Sequence, residues 1–146
     1  MDEDLEFLLE GDQFTVYFYK PGGRHDPSVY WETLPDRIRQ SLLASFQAYA
    51  DHGQVPSRAS GHSENWYHVD PPANGIGVKL FKFKDDPRIR FYSVVYSTVI
   101  EARVVLTYGF QDPKKGTEAN PRSQTGRATK RAEEFTRDFI LRLSPQ

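Results

Sequence analysis

The second half of the chain holds three strand-like segments followed by a helix, and this order constrains the fold more than any other feature. Apolar and polar residues alternate through residues 78–84 and 89–99, and alternation is weaker through residues 103–110. Period-two alternation is typical of a strand with one buried face, and weak alternation is typical of an inner strand. Because short turns join the three segments, the sequence predicts an antiparallel meander.

The last segment predicts a helix from Asn120 to about residue 143, opened by Asn120-Pro121. Its apolar stripe contains Ala128, Ala132, Phe135, Phe139 and Leu143. Most of its basic residues lie off that stripe, so we expect the stripe to pack on the sheet.

The first half predicts one strand and two helices. Residues 14–19 are rich in aromatic and β-branched residues, which favours a strand. Asp26-Pro27 is a helix-start signal, and residues 35–51 carry apolar residues at helical spacing up to Gly53. These helices are expected to form a hairpin that covers one side of the sheet.

The remaining segments have weaker patterns. Residues 1–12 are acidic with an apolar patch, and we expect a short helix or a loosely held arm. Residues 54–77 are rich in Gly, Pro, Ser and Asn, which predicts a long loop. At 146 residues the chain is expected to be a single α+β domain, residues 1–146. Its predicted core is an antiparallel sheet of about four strands with an N-terminal helical hairpin and a C-terminal helix packed on it.

Composition narrows the classes of function. The chain has no cysteine, which excludes disulfides, thiolate metal sites and thiol nucleophiles. No apolar run approaches the ~20 residues that cross a bilayer, and the N-terminus is acidic, so we expect a cytoplasmic protein with no membrane partner. The histidines His52, His62 and His68 follow no recognised ligand spacing. We therefore expect neither a metal nor another cofactor.

The net charge of −1 conceals an asymmetry between the two halves. Residues 1–75 hold five Lys/Arg against twelve Asp/Glu, and residues 76–146 hold fourteen against eight. Such an asymmetry can indicate polyanion binding. It is equally compatible with a mixed-charge surface on which the two halves interleave.

The order of motifs resembles the RelE/ParE superfamily of toxins from type II toxin–antitoxin pairs, and most closely its HigB-like, phage-related branch. The resemblance covers roughly residues 14–143. The matching residues are Leu34-Pro35, Gly53, Leu80-Phe81-Lys82-Phe83-Lys84, Val94-Val95-Tyr96, Val104 to Phe110, Lys114-Lys115, Pro121, Ala128 and Lys130-Arg131. One departure is Ser93, which stands where the family has an arginine.

The resemblance implies a toxin that cleaves ribosome-bound mRNA without a metal, and that a cognate antitoxin protein holds inactive. Attack by a 2′-hydroxyl on the neighbouring phosphate needs proton transfer and positive charge on the pentavalent phosphate. The implied catalytic candidates are Lys82, Lys84, Arg90, Tyr92 and Tyr96. The implied RNA-binding candidates are Arg103, Lys114, Lys115, Lys130 and Arg131.

Two alternatives remain open. The chain can be a repurposed member that keeps the fold and binds a partner protein or nucleic acid without cutting it, and Ser93 favours this alternative. A ParE-like toxin that acts on DNA gyrase is the third hypothesis, and the Lys114-Lys115 pair disfavours it because that motif belongs to the other branch. Each candidate side chain also has a simple structural explanation, namely a solvated sheet face for the lysines and core packing for the tyrosines.

Overall fold

The computed structural model describes residues 4–53, 61–65, 77–86, 88–111 and 121–140, with side chains except at 61–65, 78 and 121–125. The strands are β1 Leu5–Glu10, β2 Thr15–Tyr19, β3 Gly61–Asn65, β4 Gly77–Phe83, β5 Ile89–Ser97 and β6 Ala102–Gln111. The helices are α1 Pro27–Glu32, α2 Asp36–His52 and α3 Pro121–Phe135, which continues as a π-helical segment, Thr136–Ile140. The fold is α+β, with helices packed on a single sheet.

The sheet is mixed and has six strands in the order β1-β2-β6-β5-β4-β3, so the expectation of an antiparallel sheet of about four strands is wrong in detail. The predicted meander is present, because β4 pairs with β5 and β5 with β6, both antiparallel. The parallel pair is β2 with β6, where Thr15 pairs with Arg103. A parallel pair needs a long crossover, and no local sequence pattern encodes a partner that lies so far along the chain.

Two strands lie where the sequence pattern predicts none. Residues 5–10 form the edge strand β1 instead of a helix or an arm. A register shift between Phe7 and Leu9 breaks its period-two alternation, which hides the strand from pattern reading. Strand β3 lies inside the predicted loop of residues 54–77 and has no apolar residue to mark it. The rest of that loop lies outside the described residues.

The helical hairpin is as predicted. Pro27 occupies the start of α1, where its missing N–H costs no helical hydrogen bond. Gly53 ends α2 with a φ of 73°, and its N–H donates to the Tyr49 carbonyl. A residue with a Cβ would be strained in this left-handed conformation, so glycine sets the end of the helix.

Each face of the sheet carries its own apolar core, and we name the faces by the helix that packs on them. The α2 face, which also receives α1, buries Val16, Phe18, Trp31, Leu34, Ile38, Leu42, Phe46, Tyr49, Ala50, Phe81, Phe83, Ile89, Phe91, Val104 and Leu106. The α3 face buries Tyr19, Leu80, Tyr92, Val94, Tyr96, Val105, Tyr108, Phe110, Ala128, Ala132, Phe135, Phe139 and Ile140. Among the described helices, none is long and apolar enough to cross a membrane.

A β-bulge at Thr107 decides which residues of β6 reach the α3 face. Tyr92 pairs with Tyr108 and Ser93 pairs with Leu106, so Thr107 is the extra residue between them. Without the bulge, alternation from Val105 would bring Gly109 rather than Tyr108 and Phe110 to this face. The bulge therefore brings two further aromatic side chains onto the α3 face.

Candidate nucleic-acid interface

Three of the residues that share the α3 face form a line across the strands, which we call the transverse row. Lys82 on β4 is the Cα partner of Arg90 on β5, and Arg90 is the partner of Phe110 on β6. Residues directly opposite in an antiparallel pair have side chains on the same face. Lys82 and Arg90 each stand between residues that belong to the α2 core, so their own side chains belong to the α3 face. Both are partly buried.

The transverse row places two cations opposite each other. Lys84 adds a third positive charge, exposed just beyond the end of β4, where it lines a second cavity together with Arg37 of α2. Three of the five predicted catalytic residues, Lys82, Lys84 and Arg90, are thus grouped at one end of the β4–β5 hairpin. Such a group of cations is suited to bind a polyanion.

The two predicted catalytic tyrosines occupy different surroundings. Tyr92 follows Arg90 by two residues along β5. Its ring is stacked on that of Phe110, with 5.8 Å between the two ring centroids. Tyr96 lies ~20 Å farther along β5 than Arg90, and its ring packs against Phe135 of α3 at 5.7 Å. Both side chains are only 3% exposed, so they support the face from within the core.

Arg103, a predicted RNA-binding residue, is engaged inside the protein. Its Nε donates to Glu101 Oε1 at 2.7 Å and its Nη1 donates to the Tyr96 hydroxyl at 3.3 Å. The guanidinium also lies over the Tyr17 ring, 5.3 Å from the centroid. Burial alone would raise the pKa of Glu101, but hydrogen bonds from Tyr17, Arg103 and Thr15 outweigh burial and lower it. Arg103 is therefore part of a structural ion pair.

The predicted pair Lys130-Arg131 divides between solvent and core. Lys130 is exposed on α3. Arg131 Nη2 donates to Asp26 Oδ1 at 3.0 Å, and its guanidinium lies 4.9 Å from the centre of the Tyr19 ring. The pair joins α3 to the start of α1. Lys114 and Lys115, the other predicted RNA-binding residues, lie outside the described residues.

The sequence reading missed a cavity of about 400 Å³ between α1, the end of β6 and α3. We call it the α1–α3 cavity. Its charged lining residues are Arg24, His25, Asp26 and Arg127, and Phe110 connects it to the transverse row. The loop before α1 turns at Gly22 and Gly23, both with a φ of 110°, which places Arg24 and His25 at the cavity. A sequence signal existed in Gly22-Gly23-Arg24-His25 before a helix start, but Arg127 is a hundred residues away.

The charges of the α1–α3 cavity are predominantly positive. Arg24 Nε donates to His25 Nε2 at 3.3 Å, which leaves Nδ1 as the nitrogen that carries the proton on a neutral ring. Burial lowers the pKa of His25, and the positive charges of Arg24, Arg127 and Arg131 lower it further. Asp26 is already bound by Arg131 and by the Gly22 N–H. The cavity therefore contains two exposed arginines around an imidazole that is neutral at neutral pH.

Comparisons with protein-family models, with curated proteins and with solved structures find no match to this chain. The similarity to RelE/ParE toxins accordingly rests on the motifs and on their order in the sequence.

Proposed function

We propose that this protein binds single-stranded RNA through the α3 face and acts as an endoribonuclease toxin of the RelE type, paired with an antitoxin. The observation that carries the proposal is the transverse row, in which Lys82 and Arg90 stand directly opposite each other beside Phe110. A phosphodiester backbone that crosses the two strands here would be attracted by both cations.

The chemistry would follow from the same cations. When a 2′-hydroxyl attacks the adjacent phosphate, negative charge develops on the phosphate oxygens, and fixed cations stabilise it more than they stabilise the ground state. Lys82, Lys84 and Arg90 would supply that charge. In this proposal the cleavage step needs no metal, because the protein's own cations take the part that a metal would play.

A second candidate function is binding of RNA without cleavage. The burial of Tyr92 and Tyr96 favours it, because a proton shuttle must reach the reacting atoms. Ser93 favours it too, since it is fully buried and its hydroxyl donates to the Lys79 carbonyl at 3.0 Å. A serine held in this way does not replace the arginine that the family has at this position.

Binding is tested with a fluorescently labelled single-stranded RNA and the double variant Lys82→Gln/Arg90→Gln, which removes both charges and leaves shorter polar side chains. The expected result is weaker binding at low salt. The slope of log affinity against log salt should fall by roughly 1.4, which is ~0.7 for each lost phosphate contact. Arg39→Gln is the control, because Arg39 lies on α2, where it pairs with Glu32 and Asp36. Unchanged RNA binding in the double variant would contradict the proposal.

Cleavage is tested by inducing expression in cells and mapping RNA 5′ ends, with ribosomes present. The toxin predicts growth arrest and new transcript ends, and the double variant should lose both. Intact transcripts together with tight RNA binding in vitro would favour the second candidate function. A reading frame beside this one that encodes a small helix-turn-helix protein would support the toxin–antitoxin pair.

A further inference from the structure

We propose that the α1–α3 cavity is a nucleotide subsite, which takes one phosphodiester of an RNA strand between Arg24 and Arg127 and the adjoining nucleoside against the cavity wall. The inference deepens the proposed function, since the ligand is a unit of the RNA that the transverse row would bind. The site includes residues from the loop before α1 and from α3, none of which the sequence motifs single out.

The charges of the cavity lining favour an anionic ligand. Arg24 and Arg127 are exposed at the cavity, and His25 lies beside them. Among the lining residues that the structure describes, Asp26 is the single carboxylate, and Arg131 already neutralises it. An anion that enters the cavity therefore meets two guanidinium groups and no free negative charge from these residues. Guanidinium forks bind phosphate oxygens in bidentate geometry, which favours a phosphate over a simple halide.

The volume and the walls of the cavity favour a nucleoside with its phosphate over a phosphate alone. A volume of about 400 Å³ falls within the ~300–1,000 Å³ of typical small-ligand pockets, whereas a phosphate group alone would leave most of it empty. Aromatic residues, Tyr30, Tyr108 and Phe110, form part of the wall. The rings of His25 and Tyr108 lie 6.3 Å apart, so the imidazole and the phenol line one side together. This combination of flat apolar walls and cations suits a nucleoside with its phosphate.

The cavity lies next to the transverse row. Phe110 belongs both to the transverse row and to the cavity wall. A strand of RNA that crosses Lys82 and Arg90 therefore reaches the cavity directly beyond Phe110. The cations of the hairpin and those of the cavity would hold successive phosphates of one strand.

Binding of a nucleotide in the α1–α3 cavity should also change the protonation of His25. The groups that face this imidazole are Arg24 from its own loop, Arg127 and Arg131 from α3, Asp26 at the start of α1 and Tyr108 from β6. A phosphodiester is negatively charged at every pH between 5 and 8, and its charge offsets that of the arginines. We therefore expect ligand binding to raise the pKa of His25, and affinity to increase as the pH falls through that pKa.

The experiment uses the full chain and the dinucleotide adenylyl-adenosine with a 2′-O-methyl group on the first ribose, which blocks cleavage. NMR follows the ring protons of the four histidines, and His25→Asn assigns the signal. The expected result is a saturable shift of the His25 signal and a rise of its pKa. Arg24→Gln/Arg127→Gln should weaken binding at least tenfold. Arg37→Gln should leave binding unchanged, because Arg37 is not among the residues that line this cavity.

Two outcomes would overturn the inference. The first is a His25 signal that does not respond to the dinucleotide. The second is equal affinity for dimethyl phosphate, which has the same charge but no nucleoside and would indicate an anion site only. The inference and the proposed function fail separately. If long RNA does not bind but the dinucleotide does, the proposed function is wrong and the nucleotide subsite stands.

Discussion

The two faces of the sheet are built from different chemistry. The α2 face is covered by a 17-residue helix over a core of Phe, Trp, Leu and Val, in which Phe46 is fully buried and packs edge-on against Phe81 and Phe91. The α3 face buries four tyrosines, Tyr19, Tyr92, Tyr96 and Tyr108. Two arginines, Arg103 and Arg131, are also held there in ion pairs.

This difference shows what each face can do. The α2 core is mostly hydrocarbon, with Trp31 and Tyr49 as its residues that carry a polar group, and it contributes chiefly stability. A layer of tyrosines has hydroxyls that accept or donate, and it tolerates guanidinium groups over its rings. The α3 face accordingly holds positive charge, with Arg103 over the Tyr17 ring and Arg131 over the Tyr19 ring. The α2 face therefore contributes chiefly stability, and the α3 face carries the groups through which we propose that the protein binds RNA.

The largest expected effect comes from the α2 face. Phe46→Ala should reduce the free energy of unfolding by about 3–5 kcal/mol, because it leaves a cavity beside Phe81 and Phe91. Urea unfolding followed by circular dichroism measures this change. Phe7→Ala is the control, since Phe7 is 59% exposed and its loss should cost less than about 0.5 kcal/mol. If the Phe46→Ala protein were as stable as the parent protein, the α2 face would not be the main source of stability.

A smaller loss is expected on the α3 face when one member of its buried ion pair is removed. Asp26→Asn should cost about 2–3 kcal/mol, because it leaves the Arg131 guanidinium without its charge partner. The double variant Asp26→Asn/Arg131→Met should recover part of that loss, as no charge is then left in the core. Thermal unfolding of the two single variants and the double variant gives the coupling energy. If the destabilising effects of the two single variants simply add in the double variant, the Asp26–Arg131 pair does not stabilise the packing of α3 against α1.

A third effect depends on pH and concerns the other ion pair of the α3 face. The pKa of Glu101 in the folded protein lies below its ordinary value of 4.5, so the ion pair with Arg103 stabilises the fold above that value. The stabilisation is lost as the pH falls through the lowered pKa. Glu101→Gln should therefore cost about 1 kcal/mol at pH 7, and nothing at a pH below both values. Urea unfolding at several pH values measures the difference, and a cost that does not change with pH would contradict this reasoning.

Much of the fold could be predicted from the sequence because its patterns are local. The β4–β5–β6 meander follows from alternation, and the end of α2 follows from Gly53. What could not be predicted depends on distant partners or on irregular backbone. The parallel pairing of β2 with β6 is set by the crossover, and the bulge at Thr107 changes the phase of β6. The weak alternation through β6 has a different cause, because both faces of this inner strand are buried.

The candidate site divides in the same way. Lys82 and Arg90 could be predicted as neighbours, because a hairpin with a short turn fixes their register. The engagement of Arg103 with Glu101 could not be separated from an RNA-binding role by sequence, since both uses need a basic residue on this face. The α1–α3 cavity needed the structure, because it joins Arg24 to Arg127 across the whole chain.

The variant with the smallest expected effect on stability, Lys84→Ala, should still bind RNA more weakly. Lys84 is exposed beyond the end of β4, so Lys84→Ala should change the free energy of unfolding by less than about 0.5 kcal/mol. The same variant should bind single-stranded RNA more weakly at low salt, with a salt slope reduced by roughly 0.7. Lys20→Ala is the matched control, because Lys20 is an exposed lysine that pairs with Glu6 at the β1 edge of the sheet. If the two lysine variants lose RNA affinity equally, nonspecific surface charge explains the binding, and this end of the β4–β5 hairpin has no special part in it.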